Sequence, residues 1–420
     1  MPGLMIDTTP LRVSRDFRLL WLGQAVSFIG TTMTTAALPY QMYHQTNSSL
    51  MVGVLGAVQL GPMLVSSITA GALADSVDKR KLLLVVTLGS LLCSAGLAIN
   101  AGLTHPHLWL LFVLGALDSS LLAMTFPALR SLLPLLLEPE MRPAGFALQA
   151  TYGSFGMMLG PALAGVLIAA IGLSHTYLVD VATFVVAFPL FFGIASAPPI
   201  GEARRASFAT VIEGFKFLRG QSVIMSVFGI DLVAMVFGMP RALFPALSAQ
   251  LGGGPKLYGF MLGSVAAGAF VASVTSGWTA RVRRQGRAVI MCVGTWGLAI
   301  ALAGFSHNAI VVLVLFGFAG GADMISGVYR SAIAADVTPD ELRGRISGVE
   351  MAVYAGGPVL GDVEAGVVGG LVSVPFAIVS GGVACVAGAA FFATKVPSFA
   401  KYERHYAENA PIDEATAPAD

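Results

Sequence analysis

Apolar residues follow one another along this chain in twelve long runs, which charged residues, prolines and glycines separate. A helix that spans a membrane needs roughly 20 consecutive apolar residues, because the hydrocarbon core of a bilayer is about 30 Å thick. The sequence therefore predicts twelve transmembrane helices, near residues 17–43, 50–74, 82–102, 108–132, 144–170, 175–196, 221–248, 256–280, 288–305, 309–333, 346–370 and 374–394.

Two polar segments divide the chain into units. Residues 197–220 open with prolines and then carry apolar side chains at helical spacing, which predicts a linker with a short interfacial amphipathic helix. Residues 396–420 are polar and predict a disordered tail. The predicted units are an N-terminal six-helix half over 1–196, the linker, a C-terminal six-helix half over 221–395 and the tail.

An internal repeat relates the two halves. The glycines at 156, 160 and 165 recur 201 residues later at 357, 361 and 366, and Gly53 recurs 206 residues later as Gly259. Each half therefore carries similar helices that run in the same order and direction. Parallel repeats of this kind are a design of secondary transporters, in which the substrate site lies between the halves at mid-membrane.

The distribution of basic residues predicts the orientation. Hydrophobic residues are 56% of the chain and charged residues 11%, which is not the surface of a soluble protein. All but four of the 24 Lys and Arg residues lie on the side of the termini and the linker; the exceptions are Arg130, Arg241, Lys256 and Arg330. By the positive-inside rule both termini are cytoplasmic. The net charge of +1 implies no general attraction to nucleic acid.

Enzyme and cofactor signatures are absent from the sequence. No phosphate-binding Gly-Lys-Ser/Thr loop occurs, and neither the histidines nor the cysteines Cys93, Cys292 and Cys385 have metal-ligand spacing. We therefore expect neither an enzyme, nor a metal site, nor a cofactor.

The connection between the second and third predicted helices carries a motif. Gly71 and Asp75 are followed by Asp78, Lys79 and Arg80. A surface loop that obeys the positive-inside rule explains the basic residues but not Asp75. The motif resembles the signature between helices 2 and 3 of the major facilitator superfamily, with Ser76 where a basic residue is usual and Asp78 where glycine is common. The resemblance implies that these residues, with Arg130 in span 4, close one face of the cavity.

A second motif lies in span 5 and consists of Gly156, Gly160, Pro161 and Gly165. Proline bends a helix and small residues let a neighbouring helix approach, so plain helix packing explains the spacing. The motif also resembles the antiporter motif of superfamily exporters, with Ala164 in place of a glycine. Together the two motifs are similar to the twelve-helix branch of drug:proton antiporters and enterobactin-type siderophore exporters.

Several ionisable residues lie inside the predicted spans, where a charge is costly and faces a cavity or a partner. Asp118, Asp231 and Asp323 fall near mid-membrane, and Glu350 lies about one turn into span 11. We predict that Asp231, together with Asp118 or Asp323, couples transport to protons, the alternative being a static polar pair between helices. Arg130 and Arg330 lie near the cytoplasmic ends of spans 4 and 10, where a guanidinium can extend to the membrane interface. The family resemblance implies, as the alternative, a relay with Asp75.

Span 1 carries a polar stripe. Gln24, Ser27, Thr31 and Thr35 follow one another at spacings of three, four and four, which places them on one helical face. The stripe predicts either a wall of the cavity, shared with Arg241 and Arg330, or a hydrogen-bonded seam between helices.

These patterns predict an all-α membrane protein of the major facilitator fold. The predicted function is proton-coupled export of a siderophore or drug-like organic molecule by a monomer in the bacterial cytoplasmic membrane, by alternating access. Uptake of a metabolite by symport is the rival within transporters. A non-transporting membrane sensor is the rival from another class.

Overall fold

The computed structural model describes residues 7–198, 220–339 and 342–403, and within them it is helical with no strand. Twelve long helices follow the predicted order. They are α1 (Arg15–Thr46), α2 (Ser49–Ser76), α3 (Lys79–Gly102), α4 (Leu108–Leu136), α5 and α6 (two limbs of Arg142–Phe192), α7 (Ser222–Gly238), α8 (Gly254–Val274), α9 (Gln285–Phe305), α10 (Ala309–Val337), α11 (Arg343–Leu371) and α12 (Val374–Lys395).

Local chemistry explains where several helices begin and end. The side chains of Ser14, Asp78, Asn308 and Ser373 accept hydrogen bonds from the first backbone N–H groups of α1, α3, α10 and α12. Between α5 and α6 the chain turns at Gly172 alone, with φ 82° and ψ 170°, a conformation that L side chains rarely adopt. Spans 5 and 6 are therefore joined more tightly than the sequence predicts.

Span 7 is broken, whereas the sequence predicts one helix over 221–248. After α7 ends at Gly238, Met239 and Pro240 have non-helical backbone angles. A 3₁₀ turn over Arg241–Leu243 and a short helix over Phe244–Gln250 complete the crossing. Pro240 lacks the N–H that a continuous helix would use, which is the physical reason for the break.

Nine stretches of the described chain are long and apolar enough to cross a membrane. One of them, 139–192, contains both α5 and α6. The two remaining helices, α1 and α11, have 32 and 29 residues and are long enough to cross, but they are richer in polar residues. The predicted all-helical membrane fold is thus confirmed. The two more polar helices do not occupy corresponding positions, because α1 is the first helix of its half and α11 is the fifth helix of the other.

Large apolar side chains cover the outside of the bundle. Val85, Ile99, Val274, Met291 and Phe318 are each more than 60% exposed. Water would disfavour such a surface, whereas acyl chains accept it.

The two halves repeat the same packing. In the N-terminal half α2 packs on α4 and α3 on α6; in the C-terminal half α8 packs on α10 and α9 on α12. The halves meet through α2 against α11 and α5 against α8. We call the face at which α1 begins and α12 ends the terminal face, and the opposite face the distal face.

Glycines bring the halves together near the distal face. A Cβ on Gly165 of α5 would lie 3.0 Å from Cα of Gly259 in α8, and a Cβ on Gly259 would lie 2.9 Å from Cα of Gly165. The second interface is similar, because a Cβ on Gly53 of α2 would meet the carbonyl of Asp362 at 2.6 Å and one on Gly366 of α11 would meet that of Ser49 at 2.8 Å. Backbone therefore touches backbone at both interfaces.

The chain after α12 corrects one prediction. The sequence predicts a disordered tail from 396, but Pro397–Ala400 forms a short helix whose Phe399 is fully buried, and Glu403 forms an ion pair with Arg284 at 2.8 Å. The apolar side chain of Phe399 anchors this segment against α9 and α12. The predicted amphipathic helix of the linker, and the tail from 404, lie outside the described residues.

We predict that Gly165→Ala weakens the contact between the halves, because the added methyl would overlap the backbone of α8. Overpacking of this kind costs about 1–3 kcal/mol. Gly153→Ala is the matched control in the same helix, since a Cβ there meets nothing within 4 Å. Thermal unfolding in detergent should show a lower midpoint for Gly165→Ala than for Gly153→Ala, and equal midpoints would contradict the prediction.

Candidate coupling and gating site

A cluster of charged residues lies inside the C-terminal half, where α7, α10 and α11 meet. Arg330 of α10 forms an ion pair with Asp231 of α7, and its second terminal nitrogen lies 3.5 Å from Oδ1 of Asp323. Tyr354 and Glu350 of α11 lie close enough to the cluster to interact electrostatically, Tyr354 with Arg330 and Glu350 with Asp231. The structure thus joins Asp231, Asp323, Glu350 and Arg330, which the sequence singles out separately.

Burial makes this cluster energetically demanding. The side chains of Arg330 and Asp231 are 5% and 4% exposed, whereas that of Asp323 is 42% exposed. Asp323 nevertheless faces the interior, because it lies beside a buried guanidinium. One cation is shared by two carboxylates, so the cluster carries an excess of negative charge when both are ionised.

A second pair of carboxylates lies inside the N-terminal half. Asp118 of α4 is 9% exposed, and Asp180 of α6, which is 1% exposed, interacts with it electrostatically. Asp180 accepts hydrogen bonds of 2.6 Å from Thr34 of α1 and from Ser94 of α3. The carboxylate therefore ties three helices together.

Sequence reasoning missed Asp180 and Thr34. The signal for Asp180 was available, because it interrupts an apolar run in span 6. In the structure Asp180 lies eight residues after the turn at Gly172.

Asp78 has a structural role at the start of α3. Its carboxylate accepts hydrogen bonds from the backbone N–H of Arg80 at 2.9 Å and of Lys81 at 3.3 Å. Burial by itself raises the pKa of Asp78, but hydrogen bonds from the Ser196 hydroxyl and from the backbone of Lys81, Ala197 and Arg80 lower it below its ordinary value. Asp78 is therefore ionised at neutral pH and holds the loop to the chain that follows α6.

The neighbouring basic residues make contacts within the same half. Lys79 is 5% exposed and its backbone N–H donates to the carbonyl of Ala197 at 3.0 Å. Arg80 lies 4.8 Å above the ring of Phe192 and donates to the carbonyl of the same residue. These contacts anchor the motif to the end of α6.

The remaining residues of the predicted gating motif are less informative. Gly71 and Asp75 belong to the last turns of α2, but the side-chain environment of both lies outside the described part of the structure. Arg130 is exposed near the terminal end of α4. The gating role of this motif stays a prediction.

The four residues of the predicted antiporter motif divide between two faces of α5. Gly156 and Gly160 lie against α1, and Thr32 of α1 donates a hydrogen bond of 3.0 Å to the carbonyl of Gly156. The carbonyl of Pro161 and the Cα of Gly165 instead lie against α8 of the other half. The motif thus fixes α5 between its own half and the opposite one.

The second repeat has the same arrangement, which supports the duplication. In α11, Gly357 and Gly361 lie against Met235 of α7, and Gly366 lies against α2 of the other half. The three positions 201 residues apart therefore make equivalent contacts in both halves.

The polar stripe of span 1 is mostly buried. Gln24 and Ser27 are each 5% exposed and Thr31 is 9% exposed, while Thr35 is exposed. The hydroxyls of Ser27, Thr31 and Thr35 donate to carbonyls one turn earlier in α1, at 2.8–3.0 Å. Two other hydroxyls of α1 hydrogen-bond to neighbouring helices: Thr32 donates to Gly156 of α5, and Thr34 donates to Asp180 of α6.

Arg241 lies at the break of span 7 near the distal face. Its guanidinium donates to Asp362 of α11 at 3.1 Å, and its side chain is 41% exposed. It is thus part of an ion pair at the distal end of the bundle. Arg330, with which the sequence groups it as a wall of the cavity, lies deeper inside the bundle.

Comparisons with known proteins show the family of this chain. A family model described as transmembrane secretion effector matches residues 7–417. Enterobactin exporters of Shigella boydii and of Escherichia coli are each 26% identical to this chain over 370 residues, which is 87% of this chain and 88% of each relative.

Solved structures share the fold. The nucleoside transporter NupG superposes with a TM-score of 0.72 at 13% identity, over 90% of this chain and 98% of that one. A POT peptide transporter reaches 0.74 at 11% identity, over 93% and 96%. The human organic anion transporter MFSD10 reaches 0.61 at 15% identity, over 89% and 98%.

We predict that Arg330→Gln destabilises the protein far more than Arg284→Gln does. Removing one partner of a buried ion pair costs about 3–5 kcal/mol, because the other charge stays buried without compensation. The pair of Arg284 with Glu403 is 64% and 47% exposed, so its loss should cost at most about 1 kcal/mol. Adding Asp231→Asn to Arg330→Gln should recover part of the loss in thermal stability; similar midpoints for the two single variants would refute the burial argument.

Proposed function

Because the chain belongs to the transmembrane secretion effector family, within the major facilitator superfamily, we propose that it exports a siderophore or drug-like organic molecule in exchange for protons. The protein is a membrane transporter and not an enzyme. The observation that carries the proposal of export is the similarity to enterobactin exporters over 87% of the chain. The substrate of those relatives is the first one to test.

We propose that the terminal face is cytoplasmic and the distal face is outside. The support is the asymmetry of Lys and Arg, which concentrate on the side of the termini. The relatives are bacterial, so the membrane of this proposal is the bacterial cytoplasmic membrane. The proposal takes a monomer as the transporting unit, since each half of one chain supplies its own buried acids.

Alternating access is the mechanism of this proposal, and the position of the contacts between the halves supports it. Gly165 meets Gly259, and Gly53 meets the backbone of Asp362, all toward the distal face. Tyr258 of α8 also donates a hydrogen bond of 2.9 Å to the carbonyl of Ala36 in α1. In this proposal, a state with the distal face closed in this way loads substrate from the cytoplasm.

Proton coupling is assigned to Asp231, Asp323 and Arg330. When both acids are ionised, one negative charge is in excess inside the bundle, and proton uptake by one acid removes it. A proton on Asp231 would free Arg330 to pair with Asp323 across the 3.5 Å that separates them. The shift of one guanidinium between α7 and its own helix α10 would then change how these helices pack.

Asp118 has a supporting role in this proposal. It lies with Asp180 in the N-terminal half, and Asp180 is held by Thr34 and Ser94. A pair fixed by hydroxyl donors from two other helices is less free to rearrange than the cluster around Arg330. Coupling therefore depends first on Asp231 and Asp323.

We predict that everted membrane vesicles with an acidic lumen accumulate enterobactin through this protein. Protons leaving the lumen would drive the substrate inward, and addition of enterobactin should speed the decay of the pH gradient. A protonophore should abolish accumulation. A substrate that enters whole cells only while the gradient is present would identify a symporter for uptake and overturn the proposal of export.

We predict that Asp231→Asn loses proton-driven accumulation by at least about tenfold, because the neutral amide cannot exchange the proton that releases Arg330. Substrate exchange without a gradient should persist, since it needs no proton cycle. Glu364→Gln in α11 is the matched control, because it neutralises a partly buried acid that lies apart from the ion pair. Normal gradient-driven accumulation by Asp231→Asn would remove this residue from the coupling role.

A further inference from the structure

The break in span 7 is held by one residue of another helix. The carboxylate of Asp362 in α11 accepts a hydrogen bond of 3.0 Å from the backbone N–H of Ala242 and one of 3.1 Å from the Arg241 guanidinium. On the other side of the break, the indole N–H of Trp296 donates to the carbonyl of Gly238 at 2.8 Å. Backbone groups freed by Pro240 thus find partners inside the C-terminal half.

The same residue also touches the opposite half. A Cβ added to Gly53 of α2 would lie only 2.6 Å from the backbone carbonyl oxygen of Asp362. Its side chain therefore faces the broken segment of span 7, while its main chain forms part of the interface between the halves. Asp362 stands where α7, α11 and α2 meet.

The broken segment enters the N-terminal half. Ala242, which follows Arg241, is 1% exposed and belongs to an apolar cluster whose other members come from the N-terminal half. These members include Leu38, Met42, Val52 and Leu55. The 3₁₀ turn is thus a wedge from one half that fills a space in the other at the distal face.

The shape of this wedge depends on Asp362. A 3₁₀ turn of three residues has little hydrogen bonding of its own, so the turn needs an outside acceptor to keep its position. Asp362 is that acceptor, and its carboxylate, which is only 15% exposed, in turn needs the Ala242 N–H and Arg241. The hydrogen bonds of Asp362 to Arg241 and to the Ala242 N–H both lie within the C-terminal half. Separation of the halves would therefore leave both of them intact for the next closure.

We propose that Asp362, supported by Arg241, is a positioning residue for distal closure: it holds the broken segment of span 7 in the shape that inserts into the N-terminal half. The proposal rests on the alternating access proposed above. In this proposal the ion pair sets the equilibrium between the distal-closed and distal-open states. It neither binds substrate nor carries a proton.

The structure offers a direct reporter of distal closure. A Cβ built on Gly370 of α11 lies 3.9 Å from Cβ of Leu50 in α2, within the distance that a disulfide requires. The test uses the full chain with its three native cysteines replaced by alanine and with Leu50→Cys and Gly370→Cys. Disulfide formation under a mild oxidant is followed by the loss of thiols that react with a polyethylene glycol maleimide.

We predict that Asp362→Ala slows disulfide formation at least about tenfold, since the loss of a buried carboxylate leaves two donors without an acceptor. Arg241→Gln should slow it about two- to fivefold, because that side chain is partly exposed, and Arg241→Lys should restore the parental rate. Arg284→Gln, which removes the ion pair at the terminal face, is the matched control and should leave the rate unchanged.

A second variant keeps the proposal testable if Asp362→Ala folds poorly. Asp362→Asn keeps a carbonyl oxygen for the Ala242 N–H but loses the charge that binds Arg241, so it should give an intermediate rate. Parental rates in Asp362→Asn and Arg241→Gln would overturn the proposal.

The same experiment separates this inference from the proposed function. If the disulfide forms in the parent but leaves enterobactin transport intact, alternating access itself is wrong. If the disulfide forms and blocks transport until it is reduced, but the Asp362 and Arg241 variants form it at the parental rate, only the positioning role is wrong.

Discussion

The close contact of backbone with backbone near the distal face is the constraint on which the rest of this structure depends. Where Gly165 meets Gly259 and Gly53 meets Asp362, no side chain separates the helices. In lipid the hydrophobic effect does not drive helices together, so association relies on close packing of this kind. These contacts hold the two halves against each other at the distal end.

The duplicated sequence builds a symmetric scaffold that carries asymmetric chemistry. Equivalent contacts are made by the glycines at 156, 160 and 165 and by those 201 residues later. In each half the first two glycines pack against a helix of the same half, and the third packs against a helix of the other half. At the same offset Asp180 corresponds to Gly381, and Asp118 to Ala319. Packing was therefore retained in both copies, while buried charge became specific to each half, because a carboxylate inside the membrane is tolerated only where partners exist for it.

Span 7 connects the two charged regions of the C-terminal half. Asp231 of α7 forms an ion pair with Arg330 of α10. Seven residues after Asp231, α7 ends at Gly238, where the break held by Asp362 begins. The segment Ser222–Gly238 is a single helix, so a displacement at Asp231 is transmitted to the break. If the proposed proton coupling operates at Asp231, this helix is the physical connection from that residue to the distal face.

The sequence alone determined the number, order and direction of the helices, since a run of apolar residues must cross the bilayer whatever surrounds it. It also identified the glycine repeat and the carboxylates at mid-membrane, because both stand out against an apolar background. It did not reveal that Arg241 pairs with Asp362, that Asp180 binds Thr34 and Ser94, or that Asp78 accepts a hydrogen bond from Ser196. Each of those partners comes from a segment distant in the chain, and periodicity reports which face of a helix is polar but not which helix lies opposite. The tertiary structure decided those pairings, because they depend on how closely glycines allow particular helices to approach.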